Sequence, residues 1–262
     1  MIIIHITGGI GNQMFQYALF RNLYERNKNV YYETFFTRPH HNGFEINKVF
    51  NIIENEWKDI NSLSTLKKYG DNWIGYDSKV FEQENTYFEG NWQNAGYFPD
   101  HSILRKDFTF KQELDKKNKE ILQDIQNSNS VSIHVRRSDY LKYGGYFFQA
   151  DWINYYGIAI NYIKKNTAER PLKFFVFSDD IDWCKRNFLI PVIYVENKGN
   201  DSWKDMMLMS NCKHNITANS TFSWWASWLN SNPNKIVTTP KVWVNDKRKG
   251  YAEIPLKEWI KI

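Results

Sequence analysis

Short apolar runs alternate with amphipathic segments along most of the chain, which predicts parallel β-strands separated by helices. The chain opens with a strand over residues 2–7, a glycine loop, a helix over 13–27 and a strand over 30–34. The same rhythm returns in the second half, where strands are predicted near 131–137, 174–178, 192–195, 216–218 and 235–239. Strands that alternate with helices form doubly wound sheets, whose ligands bind at the carboxyl ends of the strands.

Two stretches depart from this rhythm. Residues 35–100 are rich in Asn, Phe, Tyr and Trp with weak periodicity, which predicts mixed helix and loop. Residues 111–129 predict a polar helix with little apolar face, suited to bridging two halves of the chain. We therefore predict two α/β domains, over residues 1–125 and 126–262.

Composition narrows the class of protein. Hydrophobic residues make up 42% and aromatic residues 17% of the chain, as in a globular protein. The net charge of +5 permits an anionic ligand, but the basic residues are spread out, so we expect no nucleic-acid partner. Cys184 and Cys212 lack metal-ligand spacing and indicate a reducing compartment. With no signal-like start and no apolar run near the ~20 residues that span a bilayer, the sequence predicts a cytoplasmic protein.

The most informative stretch is residues 216–229, where a β-prone run stops at Asn219 and a tryptophan-rich helix follows. Asn219 or Ser220 is a natural N-cap for this helix. The first-turn N–H groups, the helix dipole and the neighbouring hydroxyls together suit a phosphate. An ordinary capped helix with its tryptophans in the core is the alternative. The candidate phosphate-binding residues are Asn219, Ser220, Thr221, Phe222 and Ser223.

Residues 132–140 read Ser-Ile-His-Val-Arg-Arg-Ser-Asp-Tyr and predict a strand that ends in two arginines. Strand alternation places His134 and Arg136 on one side, with Arg136 at the carboxyl end, where its guanidinium can bind phosphate oxygens. Arg137 then points away, and we expect it to form an ion pair with Asp139 in the following loop. A surface strand end braced by an ion pair is the alternative.

A second predicted strand runs into three carboxylates at residues 179–182. Asp179 or Asp180 can contact a ribose hydroxyl or a base N–H. Asp180-Ile-Asp182 also matches the D-x-D pattern with which many nucleotide-sugar transferases hold a divalent metal. The alternative is the first turn of a helix, where the dipole favours carboxylates.

The loop Gly8-Gly-Ile-Gly-Asn-Gln13 follows a strand and opens a helix. It is not a dinucleotide fingerprint, because Met14 stands where a third glycine is needed, and no Walker lysine follows. The glycines permit close backbone approach to a ligand, and the amides add donors and acceptors, while a tight βα turn is the alternative. The candidate ligand-binding residues in this loop are Gly9, Gly11, Asn12 and Gln13.

The remaining histidines give no metal-binding pattern. We expect His5 in the core of the first strand, and His40 and His41 at the surface or in an acceptor cleft.

Together these segments resemble the family 11 glycosyltransferases, the α-1,2-fucosyltransferases, across essentially the whole chain. The matching pieces, in the family's order, are residues 8–18, 132–140, 174–180, 205–214 and 218–229. Ser138 and Ala226 stand where glycine is usual in the family. Both are small residues, so we expect a shift in loop geometry at most.

The resemblance implies a GT-B fold, with two Rossmann-like halves facing a central cleft, the first on the acceptor side and the second binding GDP-fucose. It implies inverting transfer of L-fucose from GDP-β-L-fucose to the 2-hydroxyl of a galactoside, in O-antigen or capsule biosynthesis. The acceptor would be a galactose-terminated oligosaccharide or a lipid-linked glycan. In related enzymes the first arginine of the pair contacts the β-phosphate, which corresponds to Arg136. The Asn-Ser-Thr-Phe-Ser loop contacts the diphosphate, and the glycine loop lines the cleft.

We expect no metal, because Arg136 and the helix N-terminus can stabilise the charge on departing GDP. Asp139 and His134 are candidates for the base that deprotonates the acceptor, unless the proton passes late to phosphate or water. Two alternatives stay open: a metal-dependent nucleotide-sugar transferase that uses Asp180 and Asp182, and a non-catalytic carbohydrate-binding protein. Peripheral contact of this basic chain with the anionic inner membrane also stays open.

Overall fold

The structure is a computed structural model, and it describes residues 1–27, 29–37, 42–71, 75–143, 145–168, 171–245 and 253–262. The chain folds into two compact units. The first comprises Met1–Gln112 with Arg248–Ile254, and the second Glu113–Lys247 with Pro255–Ile262. Each unit contains its own parallel sheet. No helix among the described residues is long and apolar enough to cross a bilayer.

The first unit contains a four-stranded sheet in the order β2-β1-β4-β3, with every pairing parallel. Its strands are β1 (Ile2–His5), β2 (Val30–Glu33), β3 (Lys67–Gly70) and β4 (Thr86–Glu89). The prediction of helix and loop over residues 35–100 is wrong for β3 and β4. β3 is a largely exposed edge strand that begins with two lysines, and β4 has four residues, so neither gives a strong apolar signal.

The helices of the first unit are α1 (Ile10–Arg26), α2 (Ile46–Val49) and α3 (His101–Asp107), with 3₁₀ turns at Asn61–Thr65, Ser78–Glu82 and Ala95–Tyr97. α1 is buried on nearly every side from Ile10 to Leu23. Its polar side chains therefore bond to neighbouring backbone instead of water. Asn22 Nδ2, for example, donates to the carbonyls of Tyr97 and Phe98 at 2.9 and 2.7 Å.

Gln13 is the most heavily bonded of these side chains and is 0% exposed. Its Nε2 donates to the carbonyls of Gly8 and Gly43, each at 2.7 Å. Its Oε1 accepts from the N–H groups of Glu45 and Ile46 at 2.9 and 3.3 Å. Gln13 therefore holds two loops together and does not present its amide to a ligand, contrary to the interpretation from the sequence.

The second unit contains a six-stranded parallel sheet in the order β10-β9-β8-β5-β6-β7. Its strands are β5 (Asn129–Val135), β6 (Leu172–Ser178), β7 (Ile193–Val195), β8 (His214–Ile216), β9 (Val237–Thr239) and β10 (Ile260–Lys261). Numbered from β5 within this unit, the order from β7 to β10 is 3-2-1-4-5-6, the order of a dinucleotide-binding sheet. From β5 the chain adds strands first on one side, as far as β7, and then on the other side, beginning with β8. The switch point between β5 and β8 is where ligands of such sheets bind.

The helices of the second unit are α4 (Lys116–Gln126), α5 (Gly157–Asn166) preceded by a π-turn at Trp152–Tyr156, α6 (Ile181–Asn187), α7 (Trp203–Ser210) and α8 (Thr221–Leu229). Apolar side chains of α5 and α6 pack on β5 and β6. α4, predicted as a bridge between halves, belongs to the second unit, and Lys204 of α7 pairs with its N-cap Asp115 at 2.8 Å. The domain boundary predicted after residue 125 falls at the end of this helix.

The buried side-chain amide of Asn215 links β8 to β5 at the switch point. Asn215 of β8 donates through Nδ2 to Ser132 Oγ of β5 at 2.7 Å and to the carbonyl of Met209 at 2.9 Å. Asn230 Nδ2 donates in turn to Asn215 Oδ1 at 2.7 Å. Because buried polar groups are costly unless bonded, this network fixes β8 against β5 and the end of α8.

Replacing Gln13 by leucine tests the bracing of the glycine loop. Gln13→Leu is expected to lower the free energy of unfolding by about 2–4 kcal/mol, because it leaves buried backbone groups without partners. Urea unfolding followed by tryptophan fluorescence measures the change. The matched control is Gln123→Leu on the exposed side of α4, expected to stay within about 0.5 kcal/mol of the parent. A loss below about 1 kcal/mol for Gln13→Leu would show that water satisfies these groups.

Candidate functional site

Three strand ends meet where the order of the second sheet switches. Arg136 and Arg137 follow β5, Asp179 and Asp180 follow β6, and the turn over 217–220 carries the chain from β8 into α8. β8 and β6 pair with β5 on its two sides, so the three ends lie along one edge of the sheet. The sheet thus brings together the sequence-predicted residues of all three segments.

Arg136 lies between two carboxylates. Its Nη2 is 2.8 Å from Asp139 Oδ1, and its Nη1 is 3.2 Å from Asp179 Oδ2. Burial lowers the pKa of Arg136, but the two carboxylates outweigh burial and raise it, so the guanidinium stays charged. The side chain is 29% exposed, so a ligand can reach this charge.

The predicted ion pair between Arg137 and Asp139 is wrong. The backbone N–H of Arg137 donates to Asp179 Oδ1 at 2.9 Å, and its Nε lies 3.4 Å from Asp180 Oδ2. Its guanidinium also lies over the ring of Trp183, 4.1 Å from the centroid. The regular strand ends at Val135, so strand alternation no longer sets the direction of the two arginines.

The two carboxylates of the D-x-D pattern have separate partners. Asp180 is the N-cap of α6, and its Oδ1 accepts the N–H of Trp183 at 3.0 Å, which confirms the helix-start interpretation. Asp182 lies in the first turn, 80% exposed and 3.7 Å from Lys185. Within the described ranges, no group of three His, Cys, Asp or Glu side chains is arranged to hold a metal ion.

The turn before α8 is fixed by its own side chains. Ser220 is the N-cap, and its Oγ accepts the N–H of Phe222 at 3.4 Å. Asn219 Nδ2 donates to the carbonyls of Phe148 and Trp243 at 3.1 and 2.6 Å. Ser223 is 2% exposed, and its hydroxyl donates to the carbonyl of Ser220 at 3.3 Å. Asn219 and Ser223 therefore shape the turn, and Thr221 and Phe222 are its partly exposed residues.

Tyr140 connects the loop after β5, residues 136–140, to this turn, although the sequence pattern does not single it out. Its hydroxyl donates to the carbonyl of Asn219 at 2.9 Å, and its ring stacks on Phe147 with centroids 3.9 Å apart. The Arg136 guanidinium lies 5.6 Å from the Tyr140 ring centroid. Burial raises the pKa of Tyr140 to about 12, so the phenol stays protonated and remains a donor. The sequence marks Tyr140 only as an aromatic residue three positions after the paired arginines.

The two bases considered from the sequence have poor environments for that role. His134 is 6% exposed, and its ring packs 5.6 Å from that of Phe222. Burial, and then the charge of Arg136, lower the pKa of His134 to about 3, so the imidazole is neutral and weakly basic. Asp139 is in the ion pair with Arg136. The contacts thus favour neither as the base.

The predicted residues of the glycine loop lie in the first unit, at the carboxyl end of β1. Gly8 has a φ of +81°, a conformation that favours glycine. Gly9 is the N-cap of α1, Gly11 is buried, and Asn12 Oδ1 accepts from Gln93 Nε2 at 2.9 Å. His40 and His41 lie outside the described residues.

Comparison with known proteins agrees with this architecture. Residues 1–262 match the family described as Glycosyl transferase family 11. An alpha-1,2-colitosyltransferase of Escherichia coli is 31% identical over 299 residues, covering 100% of this chain and 99% of that protein. The O-antigen biosynthesis glycosyltransferase WbnK of Escherichia coli is 30% identical over 304 residues, covering 98% and 99%.

The fold resembles that of the fucosyltransferase NodZ from Bradyrhizobium, with a TM-score of 0.56 at 16% identity, over 87% of this chain and 91% of that one. A structure of NodZ, there called an alpha-1,6-fucosyltransferase, soaked with GDP-fucose gives a TM-score of 0.53 at 16% identity, over 89% and 96%. With the two parallel sheets, this likeness confirms the predicted α/β fold of the GT-B type.

The burial of His134 predicts a dependence of stability on pH. An unfolded histidine takes up a proton near its ordinary pKa of about 6.5, whereas folded His134 resists protonation down to about 3. Stability that is present above pH 6.5 is therefore lost as pH falls through this window, by up to about 1.4 kcal/mol per pH unit.

Urea unfolding at several pH values from 7 to 4 measures this slope. His134→Leu should flatten the slope relative to the parent, whereas His101→Gln, at an exposed position of α3, should leave it unchanged. Equal slopes for the parent and His134→Leu would contradict the assignment.

Proposed function

Because the chain belongs to glycosyl transferase family 11, we propose that this glycosyltransferase moves L-fucose from GDP-β-L-fucose to the 2-hydroxyl of a galactoside during synthesis of a surface glycan. The observation that carries the proposal is the charged, reachable Arg136 at the switch point of a nucleotide-binding sheet, on the strand next to the one that leads into α8. The O-antigen role named for WbnK and the GDP-fucose soaked into NodZ support it.

The ion pairs of Arg136 suggest how a diphosphate would bind. Asp179 is 21% exposed and is tied to the backbone N–H of Arg137, whereas Asp139 is 38% exposed and lies in the following loop. We therefore expect a phosphate oxygen to replace Asp139 at Nη2, while Asp179 keeps its place at Nη1. The guanidinium then stays paired in both states, so its charge is never buried alone.

One in-line displacement accounts for a β-linked donor and an α-linked product. The acceptor oxygen bonds to the sugar C1 as the bond from C1 to the phosphate oxygen breaks. The negative charge that develops on GDP would be stabilised by Arg136 and the N-terminus of α8. Asp180 caps α6 and lies beside Arg137, so we propose a reaction in which it holds no metal.

Arg136→Ala is expected to lower acceptor-stimulated GDP release from GDP-fucose by about 10²–10³ in rate, because it removes a charge that stabilises the leaving group. Lactose or N-acetyllactosamine serves as the acceptor, and the buffer contains excess EDTA. Arg186→Ala, at an exposed position of α6, is the matched control and should keep the rate of the parent.

Three other outcomes would contradict parts of this proposal. Release that EDTA abolishes and added divalent metal restores would favour a metal-dependent transferase. An undiminished rate for Arg136→Ala would rule out the proposed contact between Arg136 and the phosphate. Glycan binding without GDP release or GDP binding would favour a carbohydrate-binding protein.

One comparison supports a second candidate donor, GDP-colitose. The relative that is 31% identical over this whole chain is named an alpha-1,2-colitosyltransferase. Colitose is L-fucose without its 3-hydroxyl, so the two donors differ in one polar group. A site that hydrogen-bonds this hydroxyl rejects the deoxy sugar strongly, because its own buried polar groups are left unpaired.

Parallel assays with GDP-fucose and GDP-colitose separate the two donors. We expect kcat/KM to favour GDP-fucose by about 10² or more with the same acceptor. An equal or higher value with GDP-colitose would assign this chain to colitose transfer and leave the rest of the chemistry unchanged.

A further inference from the structure

A group of exposed apolar and aromatic side chains lies in the segment that follows Arg136. Tyr143 is 59% exposed, Leu141 50% and Tyr146 38%. Single exposed side chains of this kind are common, but several together are typical of a binding surface. The group belongs to the second unit, as Arg136 does, so contacts within this unit alone relate it to the candidate phosphate site.

Ring contacts connect these side chains to Arg136. The Arg136 guanidinium lies 5.6 Å from the Tyr140 ring centroid, and Tyr140 stacks on Phe147 with centroids 3.9 Å apart. The rings of Tyr143 and Tyr146 lie edge-on to Phe147, with centroids at 5.6 and 5.0 Å. Because each of these steps is short, an oligosaccharide whose reacting end lies beside a phosphate on Arg136 can reach the two tyrosines.

The backbone beneath the two tyrosines is fixed by a neighbouring segment. Phe147 forms an antiparallel bridge with Val244, and the N–H of Asn245 donates to the carbonyl of Tyr146 at 2.7 Å. Gln149 Nε2 donates to the carbonyl of Phe147 at 3.1 Å. A surface that is already in place loses little conformational entropy when a ligand binds, so these rings are suited to recognition.

The chemistry of these side chains suits a sugar ring. Tyrosine combines an apolar ring, against which the C–H groups of a sugar can pack, with a hydroxyl that can bond to sugar hydroxyls. An anionic membrane attracts clusters of basic residues, whereas residues 138–149 contain only one, Lys142. Enclosed pockets bury most of a small ligand such as a nucleobase, whereas Tyr143 is more than half exposed.

We propose that Tyr143 and Tyr146 form an acceptor subsite, which packs against a sugar ring of the glycan beyond the galactose that receives fucose. The subsite rests on the fucosyl transfer proposed above and specifies the acceptor as an oligosaccharide instead of a single sugar. It also assigns an acceptor contact to the second unit, whereas the family resemblance implies an acceptor role for the first.

Two acceptors of different length test the subsite. We expect the kcat/KM of the parent to be higher with the tetrasaccharide lacto-N-neotetraose than with methyl β-galactoside. Tyr143→Ala combined with Tyr146→Ala should raise the KM for the tetrasaccharide about 5–10-fold, because the ring contacts with the sugar are lost. The KM for methyl β-galactoside, kcat with both acceptors, the Kd for GDP and Tm should stay at the parental values.

Two further variants serve as controls. Tyr143→Phe keeps the face of the ring and should retain most of the preference for the tetrasaccharide. Leu189→Ala removes an apolar side chain that is 73% exposed and lies beyond the end of α6, away from the end that begins at Asp180. It should keep the parental KM for both acceptors.

Several outcomes would overturn the subsite. Equal changes in KM for both acceptors would do so, as would a parent without preference for the tetrasaccharide. A raised Kd for GDP would assign the rings to the nucleoside, and lost binding to phosphatidylglycerol vesicles with parental KM would assign them to a membrane. If the parent releases no GDP with any acceptor, the proposed function falls and the subsite with it. Parental release with an unchanged tetrasaccharide KM in the double variant would overturn the subsite alone.

Discussion

The parallel register of β5 with β6 determines where the charged groups of the candidate site lie. Val135 pairs with Ser178, so the next residues, Arg136 and Asp179, leave the sheet side by side. The 3.2 Å ion pair between these two side chains follows directly from this register. A slip of one residue would exchange the two faces of a strand, and the buried apolar side chains of both strands oppose such a slip. The core therefore fixes the geometry of the chemistry at its edge.

A cation in this position needs a partner whether or not a ligand is bound. Arg136 has two carboxylate partners that are held differently. Asp179 accepts the backbone N–H of Arg137, whereas Asp139 lies in the loop that follows the two arginines and is more exposed. Tyr140 links that loop to the turn before α8 through the carbonyl of Asn219. We therefore expect that replacement of Asp139 by a phosphate would also shift the turn before α8, because the Tyr140 hydroxyl joins the two segments.

The sequence predicts the second unit well, because its central strands are apolar runs bounded by helices of clear periodicity. It does not predict β3, because the exposed lysines of this strand are typical of a loop. It also predicts the wrong ion-pair partner for Arg137, because strand alternation ends with the regular strand at Val135. Gln13 looks like a ligand-binding amide at a helix start. Apart from Gly8, its partners Gly43, Glu45 and Ile46 lie about thirty residues away along the chain, so only the tertiary structure shows that the amide is occupied.

The two histidines at the carboxyl ends of strands show why residue type alone does not reveal chemistry. His5 and His134 both lie at or next to the end of the first strand of their sheet. His134 has the charge of Arg136 nearby, so a proton on its ring would be opposed by both burial and repulsion. His5 has instead the carboxylate of Glu33, whose Oε1 lies 2.6 Å from its Nδ1. The difference arises on the neighbouring strand, because Glu33 pairs directly with His5 in the parallel register. The histidine–carboxylate pair is thus assembled from two strands, and neither strand contains it by itself.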